Sequence, residues 1–168
     1  KKYKTIYADL PYKIDTFVDL FSGSGIVSMN TRANKIIMND IDHHLIELYS
    51  LFREHTVDEI ILHIENRFLQ FGLAQERNKR YVYHNKEKIE RYKQGYVKLR
   101  DEYNSSKSVF DLCTLMFFSF SQQFRFNADG DFNMPCGNDY FSDYQRKAII
   151  DGCDFFQYLN VKYGFQGF

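Results

Sequence analysis

The stretch Thr16–Asn30, TFVDLFSGSGIVSMN, decides how this chain is read. It opens on a short apolar run, Phe17 to Phe21 with Asp19 inside it, passes through Ser22-Gly23-Ser24-Gly25, and continues with helical spacing from Ile26 to Thr31. A short apolar run bounded by turn residues reads as a buried strand. A second such run, KIIMND from Lys35 to Asp40, ends in an acid. Strand, glycine loop, helix and acid-ended strand form the opening of a doubly wound α/β sheet. In that unit the loop after the first strand lies over the ligand, and its glycines let the backbone come close.

The loop is not a G-x-G-x-x-G, and it lacks the Lys-Ser/Thr ending of a triphosphate cradle. Asp40 lies 15 residues after Gly25, at the carboxyl end of the next strand, where a carboxylate accepts both hydroxyl protons of a ribose. A nucleoside-bearing ligand without a pyrophosphate meets both conditions, and S-adenosylmethionine is the obvious one. The plain alternative is a glycine-rich turn followed by a helix-capping Asp. A nicotinamide-dependent or other nucleotide-binding enzyme shares this opening, but it needs a pyrophosphate site that the short loop does not supply.

Beyond Asp42 the chain turns helical. Leu45, Leu48, Leu51 and Phe52 keep helical spacing. Thr56-Val-Asp-Glu59 is a capping box that starts a helix on Ile60, Ile61, Ile64 and Phe68. Ile89, Tyr92, Tyr96, Leu99 and Tyr103 mark a charged helix, and Ser108 to Phe120 a dense apolar one. RFNADGDFNMP, Arg125 to Pro135, alternates aromatic and polar residues around Asp129-Gly130, the signal of a hairpin with a strand on each side. Tyr144 to Leu159 reads as a final helix.

The 168 residues suffice for one domain with a small insertion, and no apolar run approaches a membrane span. Thirteen Tyr, seventeen Phe and no Trp point first to core and interface packing. The three cysteines, Cys113, Cys136 and Cys153, form no C-x-x-C pair, which disfavours a disulfide scaffold or zinc ribbon and fits a reducing cytoplasm. The pair His43–His44 is expected to point in different directions on a helix, so no metal site is assigned. The formal net charge is zero, yet Gln75 to Lys107 holds ten Lys/Arg against five Asp/Glu. Such a segment points to a polyanionic partner or to a solvated helix face.

Three motifs in order, FVDLFSGSGIVSMN, KIIMNDIDHHLIELY and FRFNADGDFNMPCG, resemble the Dam-like DNA adenine methyltransferases, including those of T-even phages. The resemblance runs from about Pro11 to Leu159. It implies methyl transfer from S-adenosylmethionine to the 6-amino group of adenine in double-stranded DNA, often within GATC, in a bacterial or phage-infected cytoplasm. It also implies a partial Rossmann-like methyltransferase core with a mainly helical target-recognition insertion carrying a β-hairpin. Residues 1–55 then form the first part of the cofactor-binding core, 56–143 the recognition domain, and 144–168 a return to the catalytic core. Asp19, Phe21, Ser22, Gly23 and Gly25 match the first cofactor motif, Asp40 the ribose-binding acid, and Ile41 its neighbour beside the adenine. Lys2 matches a lysine near the family's N-terminus, without the glycine that normally precedes it.

The hairpin is then the reader of DNA. Arg125 matches the base-reading arginine, and its guanidinium suits two parallel hydrogen bonds to guanine in the major groove. Gln122, Gln123 and Asn127 have the amides that pair with adenine edges. Phe124 and Phe126 are either core or wedges beside a base taken out of the helix. Lys79, Arg80, Lys86 and Lys88 are candidates for phosphate contacts, which set register without reading sequence.

One part of the family pattern is absent. Its Asp-Pro-Pro-Tyr motif orients the amino group, but the only prolines in this chain are Pro11 and Pro135, so no catalytic residue is assigned. Three explanations compete: a fragment of a longer methyltransferase, half of a split enzyme whose second chain supplies the acid, or a non-catalytic DNA-binding module. The first is preferred, because an α/β sheet with only its first strands exposes apolar edges. The chain alone is expected not to transfer methyl groups.

Overall fold

β1 (Thr16–Asp19) pairs in parallel with β2 (Lys35–Met38), with Thr16 opposite Lys35 and Asp19 opposite Met38. The structure, a computed structural model, describes residues 13–73, 86–137, 141–163 and 166–167, with side chains described as far as Tyr158. Lys2, Lys79 and Arg80 lie outside the described residues. A short strand β3 (Gln166–Gly167) pairs in parallel with β2, giving the order β1-β2-β3. The described residues therefore form a mixed α/β fold with a small parallel sheet and mostly helices. It divides into two compact units, Lys1–His55 with Asp151–Phe168, and Thr56–Ile150.

The first unit packs helices on one small sheet. α1 (Ile26–Asn30) is too short to persist alone. It is held by Met29, which joins a core of Ala33, Ile36, Met38, Tyr49 and Phe156. α2 (His43–Glu54) starts at Asp42, whose side chain accepts from His44 N. Its Tyr49 stacks on Phe156 with ring centroids 5.0 Å apart, and Phe52 packs on the same ring.

The second unit is a helical platform. α3 (Val57–Phe71) opens with the expected capping box: Thr56 Oγ1 accepts from Glu59 N, and the Glu59 carboxylate accepts from Thr56 N at 2.8 Å. It ends at Gly72 in the left-handed region. α4 (Lys86–Ser106) buries Tyr96, Leu99 and Tyr103, and α5 (Val109–Phe118) buries all but three of its side chains. Between them Lys107 takes a left-handed φ of 54°, its N–H closing on Tyr103 O. A side chain at Gly95 would place its Cβ 2.0 Å from Phe71 O, so α4 meets the end of α3 at backbone distance. Asp111 is fully buried on α5. Its carboxylate accepts Arg67 Nε at 2.7 Å, Arg67 Nη2 at 2.9 Å and a ring nitrogen of His63 at 2.7 Å. Burial acts to raise the Asp111 carboxyl, but these bonds outweigh it and hold it below the usual carboxylate range. α6 (Asp143–Tyr163) contributes Gln145 and Ile149 to the second unit, and Cys153 and Phe156 to the first.

The hairpin differs from its expected form. A single antiparallel bridge, Phe126 to Phe132, stands where two strands are expected. The cause is local. Asn127 Oδ1 accepts from Asp129 N and Asp131 N, so the turn is organised by a side chain. On the other side, Ser121 and Gln122 both take left-handed φ, which ends any strand before Arg125.

Candidate functional site

The glycine loop sits at the carboxyl ends of β1 and β2, where ligands bind in open parallel sheets. Gly23 (φ 51°) and Gly25 (φ 73°) both take left-handed backbone that other residues adopt only with strain. A Cβ at Gly23 would meet nothing closer than Phe21 O at 4.0 Å, so the backbone conformation, not crowding, selects glycine there. Ser22 ties the loop to β2, its N–H and Oγ both donating to Asn39 O at 2.9 and 2.8 Å. Ser28, fully buried on α1, donates to Asp19 Oδ2 at 2.7 Å. The Tyr49 hydroxyl donates to Gly23 O. Burial, then the charges of Asp40, Asp19 and Asp42, push the Tyr49 phenol far up, so it remains a donor throughout the working pH range.

Asp40 is the acid that faces this loop. Its Oδ2 accepts from Gly23 N at 2.8 Å and its Oδ1 from Asp42 N at 3.0 Å. These bonds, Asp42 first and Gly23 second, hold the carboxyl below its usual range. A backbone bond from Ile41 lowers it further, so the carboxylate is held by N–H groups on both sides of the strand end. Beside it, Phe21 is 85% exposed after β1 and Ile41 is 96% exposed after β2, apolar side chains in water at the ligand end of the sheet. The carboxyl end of the sheet thus brings together an ionised acid, two exposed apolar side chains and a loop shaped by left-handed glycines. A groove of about 1120 Å³ lies at the opposite, amino ends of the strands, lined by Lys13, Asp15, Arg32, Asn34 and Phe155. None of Ser22 to Gly25 lines it, nor does Asp40.

His43 and His44 do not diverge as expected: their rings stand 3.8 Å apart. With Asp42 they bring three possible ligand atoms within 4.8 Å of one another. Asp42 Oδ1, however, already accepts from His44 N and pairs with His44 Nδ1 at 2.8 Å, which accounts for the cluster as a helix cap. Cys113, Cys136 and Cys153 form no disulfide with one another, and burial pushes the Cys136 and Cys153 thiols up to about 11, so neither is a thiolate at neutral pH.

The hairpin is held firmly to the helices of its own unit. Asn104 on α4 donates to Phe132 O at 3.1 Å and accepts from Phe132 N at 2.8 Å, standing in for a missing strand. Lys107 Nζ reaches Gly130 O and Asp131 Oδ1 at 3.1 and 2.7 Å. Tyr96 donates to Met134 O at 2.9 Å, and Phe132 meets Tyr103 edge-on.

Against this frame the candidate DNA-reading residues separate. Arg125 is exposed, and its Nε and Nη2 donate to Asn133 Oδ1 and Asn133 O, both at 2.7 Å. Gln122 and Gln123 are exposed on the left-handed turn after α5. Asn127 spends its amide oxygen on two turn N–H groups, leaving it poorly placed to pair with an adenine edge, which needs that oxygen. Phe126 packs edge-on against buried Phe132 at 5.5 Å, and Phe124 is half-buried. Lys86 is exposed and Lys88 half-buried at the start of α4. Sequence reasoning missed Tyr49, Asn104 and Lys107, whose partners lie 23 to 28 residues away, and also Ser28 and Asn133, whose side-chain bonds across their own motifs leave no signal in the residue pattern.

The sequence model of the D12 class N6 adenine-specific DNA methyltransferases matches residues 3–152. The chain is 37% identical over 142 residues to the type II methyltransferase M.FokI of Planomicrobium okeanokoites, covering 83% of the chain and 20% of that protein. It is 30% identical over 155 residues to the modification methylase StsI of Streptococcus sanguinis, covering 89% of the chain and 21% of that protein. A DNA adenine methylase of Salmonella typhi is 28% identical over 129 residues, 74% of the chain and 40% of the relative. The chain thus spans about a fifth of the first two relatives and two fifths of the third.

Proposed function

Since the chain belongs to the D12 class N6 adenine-specific DNA methyltransferases, we propose that it is the cofactor-binding and DNA-reading portion of such an enzyme. The reaction is transfer of a methyl group from S-adenosylmethionine to the 6-amino group of adenine in double-stranded DNA. One observation supports the cofactor assignment: Asp40 is ionised at the carboxyl end of β2 and faces the glycine loop through Gly23 N. In this reading Asp40 holds the ribose, Gly23 and Gly25 shape the loop that Tyr49 and Ser22 brace, and Phe21 and Ile41 flank the adenine. Asp19, already bonded to Ser28, fixes the end of β1 from which the loop departs. The bound cofactor supplies an electrophilic methyl group; the chain's own residues orient the molecule that carries it.

The second unit is the target-recognition domain in this reading. Arg125 contacts guanine, Gln122 and Gln123 lie beside it, and Lys86 with Lys88 and the neighbouring Lys79 and Arg80 contact phosphates. The acceptors that would orient the adenine amino group are not among these 168 residues, which contain no Asp-Pro-Pro-Tyr. The chain by itself therefore binds cofactor and duplex without methyl transfer.

Calorimetric titration with S-adenosylhomocysteine and with NAD tests the cofactor class. Saturable heat with the first and none with the second is expected; the reverse overturns the reading. Duplexes containing GATC or a scrambled site, each with and without S-adenosylhomocysteine, test the macromolecular partner. Incorporation of tritiated methyl groups into DNA by the purified chain would sink the claim that it does not catalyse alone.

A further inference from the structure

We propose that Asn133 is a positioning residue for base reading: it holds the Arg125 guanidinium so that the outer edge meets a guanine already oriented. The inference rests on the reading of the hairpin as the DNA-contacting element.

A guanidinium has five N–H donors in one plane. Its side edge, Nε with one hydrogen of Nη2, is occupied here by Asn133 Oδ1 and Asn133 O. The remaining donors are the two hydrogens of Nη1 and the second of Nη2. One from each nitrogen forms the parallel pair at the outer edge, which matches the N7 and O6 acceptors of guanine. The clamp therefore does not consume the reading edge; it selects which edge is presented.

The clamp is also more than hairpin closure requires. Asn133 N already donates to Arg125 O at 2.9 Å, Phe126 bridges Phe132, and Asn127 organises the turn. Asn104 and Lys107 fasten the far arm to α4 and the turn that follows it. Closing the hairpin thus leaves the arginine side chain with nothing further to do. Yet it is exposed, fixed at two points, and meets no carboxylate among the described residues. An immobilised cation in water with its outer donors unengaged is arranged for an acceptor from outside the chain. Ordering the side chain before binding removes a cost of about three- to tenfold in affinity, the usual entropy of immobilising one long side chain. That gain applies where the outer edge finds both acceptors, so it appears as base preference.

The test uses the full chain and a duplex library randomised over the binding site, sequenced from bound and unbound fractions. Arg125→Ala should lose preference for guanine at one position by about 10- to 100-fold. Asn133→Ala should lower the same preference by about three- to tenfold, with binding to a fixed non-specific duplex unchanged. Asn133→Asp keeps an acceptor for Nε and should restore the preference, while its charge weakens binding to all duplexes equally. In the free protein, the Arg125 Nε–H nuclear magnetic resonance should be dispersed and protected, and in Asn133→Ala, where only the bond to the Asn133 carbonyl remains, it should lose its protection and move toward the averaged arginine position.

Three results would overturn the proposal, and they differ. Guanine preference that survives Arg125→Ala removes the reading of the arginine itself. Preference lost in Arg125→Ala but intact in Asn133→Ala removes the positioning role alone. Preference lost equally in Asn133→Ala and Asn133→Asp assigns Asn133 to the hairpin fold.

Discussion

The glycine loop and the hairpin solve the same problem with different parts of the chain. In the loop, backbone does the shaping and side chains brace it from behind: Gly23 and Gly25 turn left-handed while Ser22, Ser28 and Tyr49 bind carbonyls and a carboxylate. In the hairpin, side chains do the shaping and one backbone bridge suffices: Asn127 makes the turn, Asn104 replaces a strand, Lys107 pins the tip. The loop accordingly presents backbone and one half-buried acid, and the hairpin presents a long side chain far from any core. A small ligand buried on several sides suits the first construction, and a polymer approached from one side suits the second.

The largest effect expected lies between α3 and α5. Replacing Asp111 with Ala leaves Arg67 and His63 without their shared acceptor and should cost about 3 kcal/mol, read as a lower thermal unfolding midpoint. Stability unchanged by this variant would mean that the helical platform does not depend on its buried charge. Next comes Asp40→Ala, which removes the ionised carboxylate facing the loop and, if the proposed cofactor binds there, should weaken S-adenosylhomocysteine about tenfold or more in calorimetry. Duplex binding without cofactor should be unaffected, which separates the two sites. The pH dependence follows the sign of the shift. Asp40 is lowered in the folded state, so its contribution is complete above the ordinary carboxylate value of about 3.9 and is lost as pH falls through the folded pKa. Cofactor affinity governed by Asp40 should be level from neutrality to about pH 5, and a decline beginning near pH 6 would point to another group.

Tyr49→Phe is a smaller intervention. It removes one hydroxyl and leaves Gly23 O without that donor, for an expected loss of about 1 kcal/mol in stability and a modest rise in the cofactor Kd. The smallest net effect belongs to Lys107→Gly. Glycine relieves the left-handed φ of 54° while removing the bonds to Gly130 and Asp131, so the unfolding midpoint should hardly move. Hydrogen exchange at Asp129 to Asp131 should nevertheless accelerate, because the tether and the strain act on different observables.

What the sequence reveals follows the range of the interactions involved. Glycines between a strand and a helix, an acid at the next strand's end, Thr56 with Glu59, and Asp129-Gly130 are local signals, and each is visible within a few residues. Asp40 to Gly23 spans 17 residues, yet the βαβ pattern predicts that meeting because the topology brings adjacent strand ends together. Tyr49 to Gly23, Asn104 to Phe132 and Asp111 to His63 span 26, 28 and 48 residues with no repeating unit to announce them. Asn127 and Asn133 look alike in the sequence, two asparagines flanking one turn. Only their partners show that one shapes the backbone and the other holds an arginine. The expected pair of hairpin strands fails because Asn127 organises the turn with its side chain and Ser121 and Gln122 turn left-handed, choices that apolar alternation does not record.

Gly95 has a metric consequence. It presses backbone against the end of α3, a crossing that no side chain could share. From that crossing to Asn104 is nine residues of unbroken helix, about 13.5 Å at the usual rise. Helix α4 is therefore a ruler with its zero at Gly95, and the hairpin is mounted at a fixed mark. Removing one residue between the two would swing Asn104 by about 100° and shorten the ruler by about 1.5 Å, unhooking Phe132 with every side chain of the hairpin still present.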